Sequence, residues 1–210
     1  MSLSSISLDQ VRAALALEPP EFDPHEAQLK MAPANRPLQP QPESNPRLAA
    51  TMLLLYPIDE LHFVLTRRPD YDGTHGGQIS FPGGRREADE DFAETALRET
   101  CEELGICDSI EPVGRLTELY IPPSDFLVYP YVGYIAYRPE WHPDPYEVAE
   151  VIETPLRILL DDGIKQRDTR EYKGMSFEYS IYQINGHRVW GATAVMLSEF
   201  EWRLRTILGK

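Results

Sequence analysis

Residues 84–106 read GRREADEDFAETALRETCEELGI, and this stretch decides how the rest of the chain is read. It leaves a glycine pair, Gly83 and Gly84, crosses an acidic turn and becomes a helix that stops at Gly105. Residues three and four apart share a helix face, so Glu99, Glu102 and Glu103 occupy one side. Ala93, Leu97, Thr100 and Leu104 fall on the other and are expected to pack inward. Gly105 stands where a left-handed residue closes a helix.

Three carboxylates on one face repel each other unless something positive is present. A solvated acidic surface is the commonest fate of such a helix. The sharper reading is a cation site, because clustered hard oxygen donors suit Mg²⁺ or Mn²⁺, which keep waters and bridge phosphates. Such an ion could neutralise and orient a diphosphate and activate a water for attack on phosphorus. Arg98 lies four residues after Glu94 and four before Glu102, near the turn acid Glu90. Its fork is suited to holding carboxylates in position, not to touching substrate. Gly83 and Gly84 let the loop close beside the metal.

Upstream, residues 49–56 (AATMLLLY) and 61–67 (LHFVLTR) read as two strands joined by a turn at 57–60. Residues 69–77 form a loop, and 78–81 a short strand leading into the glycine pair. Downstream, residues 110–120 and 127–137 read as strands around a loop at 121–126. A second irregular loop, 138–146, precedes a strand at 147–153, and Pro155 opens a short helix. Asn185-Gly186 marks a tight hairpin within 175–190. The C-terminal helix carries Ala192, Val195, Met196, Phe200, Leu204, Ile207 and Leu208 as a core-facing stripe. Strands and helices mix without a βαβ repeat, so the fold class is α+β.

The domain proper starts near Arg47 and runs to residue 210. Residues 1–46 hold a helix at 7–17, capped by Ser7 or Asp9, and a proline-rich stretch at 18–46. That stretch reads as an extended arm, not a packed element. It could wrap the domain or reach a second copy in a homodimer. A net charge of -14 over 210 residues disfavours nucleic acid, which needs a positive footprint. It leaves room for a small phosphorylated ligand whose charge a metal meets locally. No run approaches the ~18 apolar residues of a membrane span, and no signal peptide is visible. Cys101 and Cys107 lack the number and spacing of a disulfide framework or zinc site. They read as free thiols in a reducing cytoplasm.

Gly84, five residues, Glu90, seven residues, then Arg98-Glu99-Thr100-Cys101-Glu102-Glu103-Leu104-Gly105-Ile106 resembles the Nudix box. Every charged and glycine position is present; Thr100 stands where an aliphatic residue is usual. The resemblance implies a Nudix-type α/β/α sandwich with a mixed sheet and a metal-dependent hydrolase of nucleoside diphosphate derivatives. It makes Glu99, Glu102 and Glu103 the metal shell. In some members the first of these acids acts as the base instead. Otherwise the base comes from outside the box, and Glu147 and Glu150 are candidates because they open a strand after a loop.

A second resemblance reaches most of residues 47–205. Val64-Leu65-Thr66-Arg67-Arg68 and Gly77-Gln78-Ile79-Ser80-Phe81-Pro82-Gly83-Gly84 are similar to the signature of coenzyme A pyrophosphatases within that family. Ser124-Asp125-Phe126, Val128 with Pro130, and residues 189–194 (VWGATA) agree with it. The resemblance implies substrate contacts from Arg67, Arg68, Gln78, Phe81, Gly83 and Gly84. Pro69 and Gly73 depart from the signature: a small residue and an arginine are usual there. Arg67, Arg68 and His75 could compensate toward the 3′-phosphate of coenzyme A. The remaining alternatives are a pyrophosphatase for ADP-ribose or a dinucleotide, and a non-hydrolytic nucleotide sensor. A sensor would be expected to lack box acids, and none is missing. Trp141 is either a lid over adenine or an exposed loop aromatic.

Overall fold

The computed structural model of the protein describes residues 5–33, 37, 39–71, 76–172 and 175–210. Gly73 and His75, which bear on the substrate reading, lie outside the described residues.

Two helices come first, α1 (Leu8–Leu15) and α2 (Pro24–Leu29). Then follow β1 (Arg47–Pro57), β2 (Leu61–Arg67), β3 (Ile79–Ser80) and β4 (Gly83–Arg85). The acidic helix is α3 (Phe92–Leu104), followed by β5 (Glu111–Arg115), β6 (Leu119–Ile121), β7 (Phe126–Tyr134) and β8 (Glu150–Pro155). After 3-10 turns at Leu156–Leu160 and Asp162–Ile164 come β9 (Lys165–Tyr172), β10 (Met175–Ile184), β11 (His187–Val189) and α4 (Ala192–Leu208).

β1 to β8 form one mixed sheet with a path β3-β2-β1-β7-β5, while β4 pairs β1, β6 pairs β7 and β8 pairs β2. β1 runs parallel to β7 and antiparallel to β2 and β4. The apolar run of β1 is explained by burial on both faces, since successive side chains of a strand point opposite ways. Ala49, Leu53 and Leu55 enter one core with Val195, Met196 and Phe200 of α4 and Val11 of α1. Ala50, Met52, Leu54 and Tyr56 enter a second core with Ala96 and Leu104 of α3. The result is the helix–sheet–helix sandwich expected from the sequence. β9, β10 and β11 make a separate antiparallel sheet, turned at Asn185-Gly186 as the dipeptide predicts.

Several expectations need correction. The proline-rich stretch is not a free arm. Asp23 caps α2, and Phe22, Ala27 and Met31 are buried. Ser198 Oγ donates to the Ala27 carbonyl at 2.7 Å, and Arg203 Nη1 to that of Leu17 at 2.8 Å. The stretch packs because α4 offers polar anchors that only tertiary contact reveals. Residues 110–120 form two short strands, not one, and β9 falls in a segment the sequence reading left without an element. Ala93 and Leu97 are half-buried, while Thr95 and Ala96 take the inward face of α3 with Thr100 and Leu104. Ser7, not Asp9, caps α1, in a reciprocal arrangement with Gln10.

Cys101 and Cys107 are joined in a disulfide, not free. Gly105 explains their meeting. At φ 74° it takes the left-handed conformation, and its N–H closes on the Cys101 carbonyl. The chain reverses there, bringing the Cα atoms of the two cysteines within 4.3 Å.

Candidate active site

Local chemistry fixes α3. Asp91 accepts from the Glu94 N–H while Glu94 accepts from the Asp91 N–H, a reciprocal cap that starts the helix. Its acids then project over the glycine pair. Glu103 is only 3% exposed and takes the Gly83 N–H at 3.2 Å. A Cβ on residue 84 would lie 2.5 Å from the Glu99 carboxylate and displace it, so the bare Gly84 leaves room for that carboxylate over the loop.

Arg98 is the clasp. Its Nε donates to Glu90 at 2.6 Å, and one Nη1 reaches both Glu99 and Glu102 at 2.9 Å. Its Nη2 donates to the Arg85 carbonyl at 3.1 Å, tying β4 to the helix. The positioning role expected for Arg98 therefore has a geometry. The Arg98 hydrogen bond holds the Glu90 carboxyl down at about 2.

The other acids move the opposite way. Burial pushes Glu99 up against the pull of Arg98, and the charges of Glu102 and Glu147 add to the rise. Burial pushes Glu103 up to about 7; the Gly83 N–H and the charge of Arg68 oppose this, and the charges of Glu147 and Glu99 reinforce it. Desolvation with like-charge crowding in one place is the pattern by which functional acids are recognised.

Glu147 reaches this cluster by a route the sequence did not show. The strand opens at Glu150, and Glu147 sits in the turn before it. The loop hangs on the C-terminal end of α3: His142 N–H donates to the Leu104 carbonyl at 3.0 Å, and Asp144 N–H to that of Glu103 at 3.1 Å. Glu147 N–H then closes on Asp144 at 3.1 Å. The free carbonyls of the helix end thus position the acid. Glu150 goes elsewhere, pairing with Arg67 at 3.3 Å and His187 at 3.1 Å.

The residues expected to touch substrate divide. Arg68 faces the acids through its charge on Glu103. Arg67 is held by Asp70 and Glu150. Gln78 is half-buried and gives its carbonyl to the Arg68 N–H at 3.0 Å. Phe81 is buried in the core and offers no surface to a ligand. Trp141 is neither lid nor exposed aromatic; it packs edge-on to Tyr56 at 5.3 Å.

The donor chemistry fits a hard divalent cation: carboxylate oxygens, two of them crowded and destabilised in their charged form. Among the described residues, no group of three or more His, Cys, Asp or Glu side chains is placed to hold a metal as it stands.

The site is thus a mixed sheet between helices, with acids clasped by Arg98 over a glycine pair. The family follows: residues 45–171 match the NUDIX domain, and the chain belongs to the Nudix family. It is 32% identical over 171 residues to Nudix hydrolase 15, mitochondrial, of Arabidopsis thaliana, covering 77% of this chain and 60% of that one. It is 40% identical over 137 residues to the mitochondrial coenzyme A diphosphatase NUDT8 of Homo sapiens, covering 63% and 57%. An uncharacterized Nudix hydrolase NudL of Pectobacterium atrosepticum is 36% identical over 188 residues, covering 82% and 88%. The chain spans about three-fifths of the length of the plant and human relatives. Among solved structures, the MutT protein of Methanosarcina mazei Go1 aligns with a TM-score of 0.52 at 20% identity, over 81% of this chain and all of that one, a likeness of fold. Among the described residues no helix is long and apolar enough to cross a membrane.

Proposed function

We propose that the protein is a metal-dependent pyrophosphohydrolase that cleaves the diphosphate of coenzyme A or a derivative, giving 3′,5′-ADP and 4′-phosphopantetheine. The observation that carries this is the acid cluster itself. Glu99, Glu103 and Glu147 are brought together, with burial raising the first two and Arg68 as the nearby cation. The substrate class rests on the likeness to the human coenzyme A diphosphatase and on the loop before the box.

Mg²⁺ or Mn²⁺ held by Glu99, Glu102 and Glu103 would neutralise the diphosphate and lower the pKa of a bound water. The chain's own groups do the rest. Arg68 meets phosphate charge beside Glu103. Glu147 takes the proton from the attacking water. The water oxygen bonds to phosphorus, the bridging P–O bond breaks, and the departing phosphate keeps that electron pair. Arg98 holds the carboxylates in register throughout and does not touch substrate.

The test is a panel of diphosphates with Mg²⁺ or Mn²⁺: coenzyme A, 3′-dephospho-coenzyme A, ADP-ribose and a dinucleoside diphosphate. Preference for coenzyme A supports the reading. Turnover of ADP-ribose or the dinucleotide with coenzyme A ignored moves the substrate to another nucleotide. No turnover of any diphosphate favours a nucleotide sensor.

A further inference from the structure

We propose that the cleft between β3 and the β9–β11 sheet, lined by Arg188, His187 and Trp190, is a subsite for the nucleoside end of the substrate and for a phosphomonoester on its ribose. The proposal rests on the proposed coenzyme A reading, both for where the diphosphate lies and for the ribose phosphate.

The cleft has a volume of about 500 Å³ and is lined by Ile79, Thr169, Tyr179, His187, Arg188 and Trp190 among others. That size suits a nucleotide-sized ligand. β10 and β11 lie beyond residues 45–171, so the pocket is largely built by sequence outside the family domain.

Its chemistry combines a ring system with cations. Half-buried Trp190 lines the cleft, edge to face with the buried Tyr179 at 5.7 Å, and is a ring of the kind on which bases stack. The Arg188 side chain is 53% exposed. Its contacts to Asp168 and to the Tyr179 hydroxyl, the latter at 2.6 Å, both use Nη2. Among the described residues its Nε and Nη1 make no hydrogen bond, which leaves donors that match phosphate oxygens. His187 stands beside it, its Nε2 3.1 Å from Glu150. Asp168 and Glu150 hold these two side chains at the wall. Phosphate recognition therefore falls to the open edge of Arg188.

Position supports the same assignment. Ile79 lines the cleft and lies four residues before Gly83, whose N–H meets Glu103. Four residues of chain reach at most about 14 Å. Arg67 pairs Ile79 in register across the β2–β3 ladder, and the next residue, Arg68, acts on Glu103. Ile79 belongs to the core on the α4 side and the acids lie on the α3 side, so a ligand with its diphosphate at α3 would pass round β3, at the end of the sheet path, to place its nucleoside in the cleft.

The test measures binding without turnover. Adenosine 3′,5′-bisphosphate is titrated calorimetrically into the full chain in EDTA, with adenosine 5′-monophosphate as control. The wild-type protein should bind the bisphosphate about tenfold more tightly, and R188A should erase that margin. R188Q provides a second variant at this exposed position should R188A fold poorly. W190F should retain most affinity for both nucleotides, and W190A should weaken both. Equal wild-type affinity for the two nucleotides, or an undiminished margin in R188A and R188Q, overturns the subsite. If coenzyme A is hydrolysed but its KM in R188A is unchanged, the subsite fails and the hydrolase reading stands. If the bisphosphate margin holds but no diphosphate is turned over, the subsite stands and the hydrolase reading fails.

Discussion

Two helices of this molecule bury glutamates, and they treat them differently. On α4, Glu199 is fully buried and is met by the Thr117 N–H and hydroxyl, by Gln28 at 2.9 Å and by Arg203 at 2.9 Å. Glu201, equally buried, is met by the Tyr182 hydroxyl at 2.6 Å and by Lys165 and Arg205 at 2.5 Å. On α3, Glu103 is nearly as buried and receives one backbone N–H, while like charges press on it from Glu99 and Glu147. Buried polar groups in folded proteins are normally satisfied, and those that are not need a reason. The acids of α4 are answered from within and hold the fold. On α3, Arg98 answers Glu90, Glu99 and Glu102, while Glu103 has only the Gly83 N–H, a deficit that the proposed cation would meet.

That contrast can be broken experimentally. E103Q should lower turnover of a diphosphate with Mn²⁺ by about 10³-fold or more, as expected when a metal ligand is lost. Its Tm should not fall, because a buried charge with one partner is removed; matched thermal unfolding and steady-state assays check both. The opposite pattern is expected on α4. E199A should cost about 3–5 kcal/mol of stability by leaving Arg203 buried without its partner, while protein still folded at low temperature keeps its kcat. Chemical denaturation read beside activity separates the two.

G84A lies between these cases. A Cβ at residue 84 meets the end of the flexible Glu99 side chain, not backbone, so the carboxylate moves and the fold does not. Activity should drop about 10–100-fold, in line with the cost of a ~1 Å misplacement, with Tm nearly unchanged. The smallest effect should come from the metal on stability. Mn²⁺ at 100 times its Kd should stabilise wild-type protein by about 2.7 kcal/mol and E103Q by much less. A thermal shift series over metal concentration reads this.

The same contrast explains what the sequence could show. α3 was legible because its signals are local: Asp91 and Glu94 cap it, Gly105 ends it, and its acids recur three and four apart. The fold class was legible because β1 is an apolar run, β2 alternates, the asparagine-glycine turn is short-range, and no βαβ repeat appears. The acids of α4 were not legible, because Gln28 and Thr117 lie 171 and 82 residues from Glu199. For the same reason the proline-rich stretch read as free, although Gln28 and Ala27 anchor it to α4. Residues 165–172 (KQRDTREY) carry no apolar alternation, since β9 is an edge strand of the small outer sheet. Glu147 could be named from its place after a loop, but its route to the cluster runs through backbone carbonyls of α3 that no side chain advertises. The Cys101–Cys107 bond depends on the left-handed turn at Gly105, and the number of cysteines alone argued against it.

The central claim is that the under-partnered acids of α3 bind a divalent cation. Titration of Mn²⁺ into wild-type protein and E103Q, followed by the electron paramagnetic resonance of the free ion, tests it most directly. The account predicts saturable binding in the wild type and affinity weakened about 100-fold or more in E103Q. Equal Mn²⁺ binding by the two proteins would contradict it.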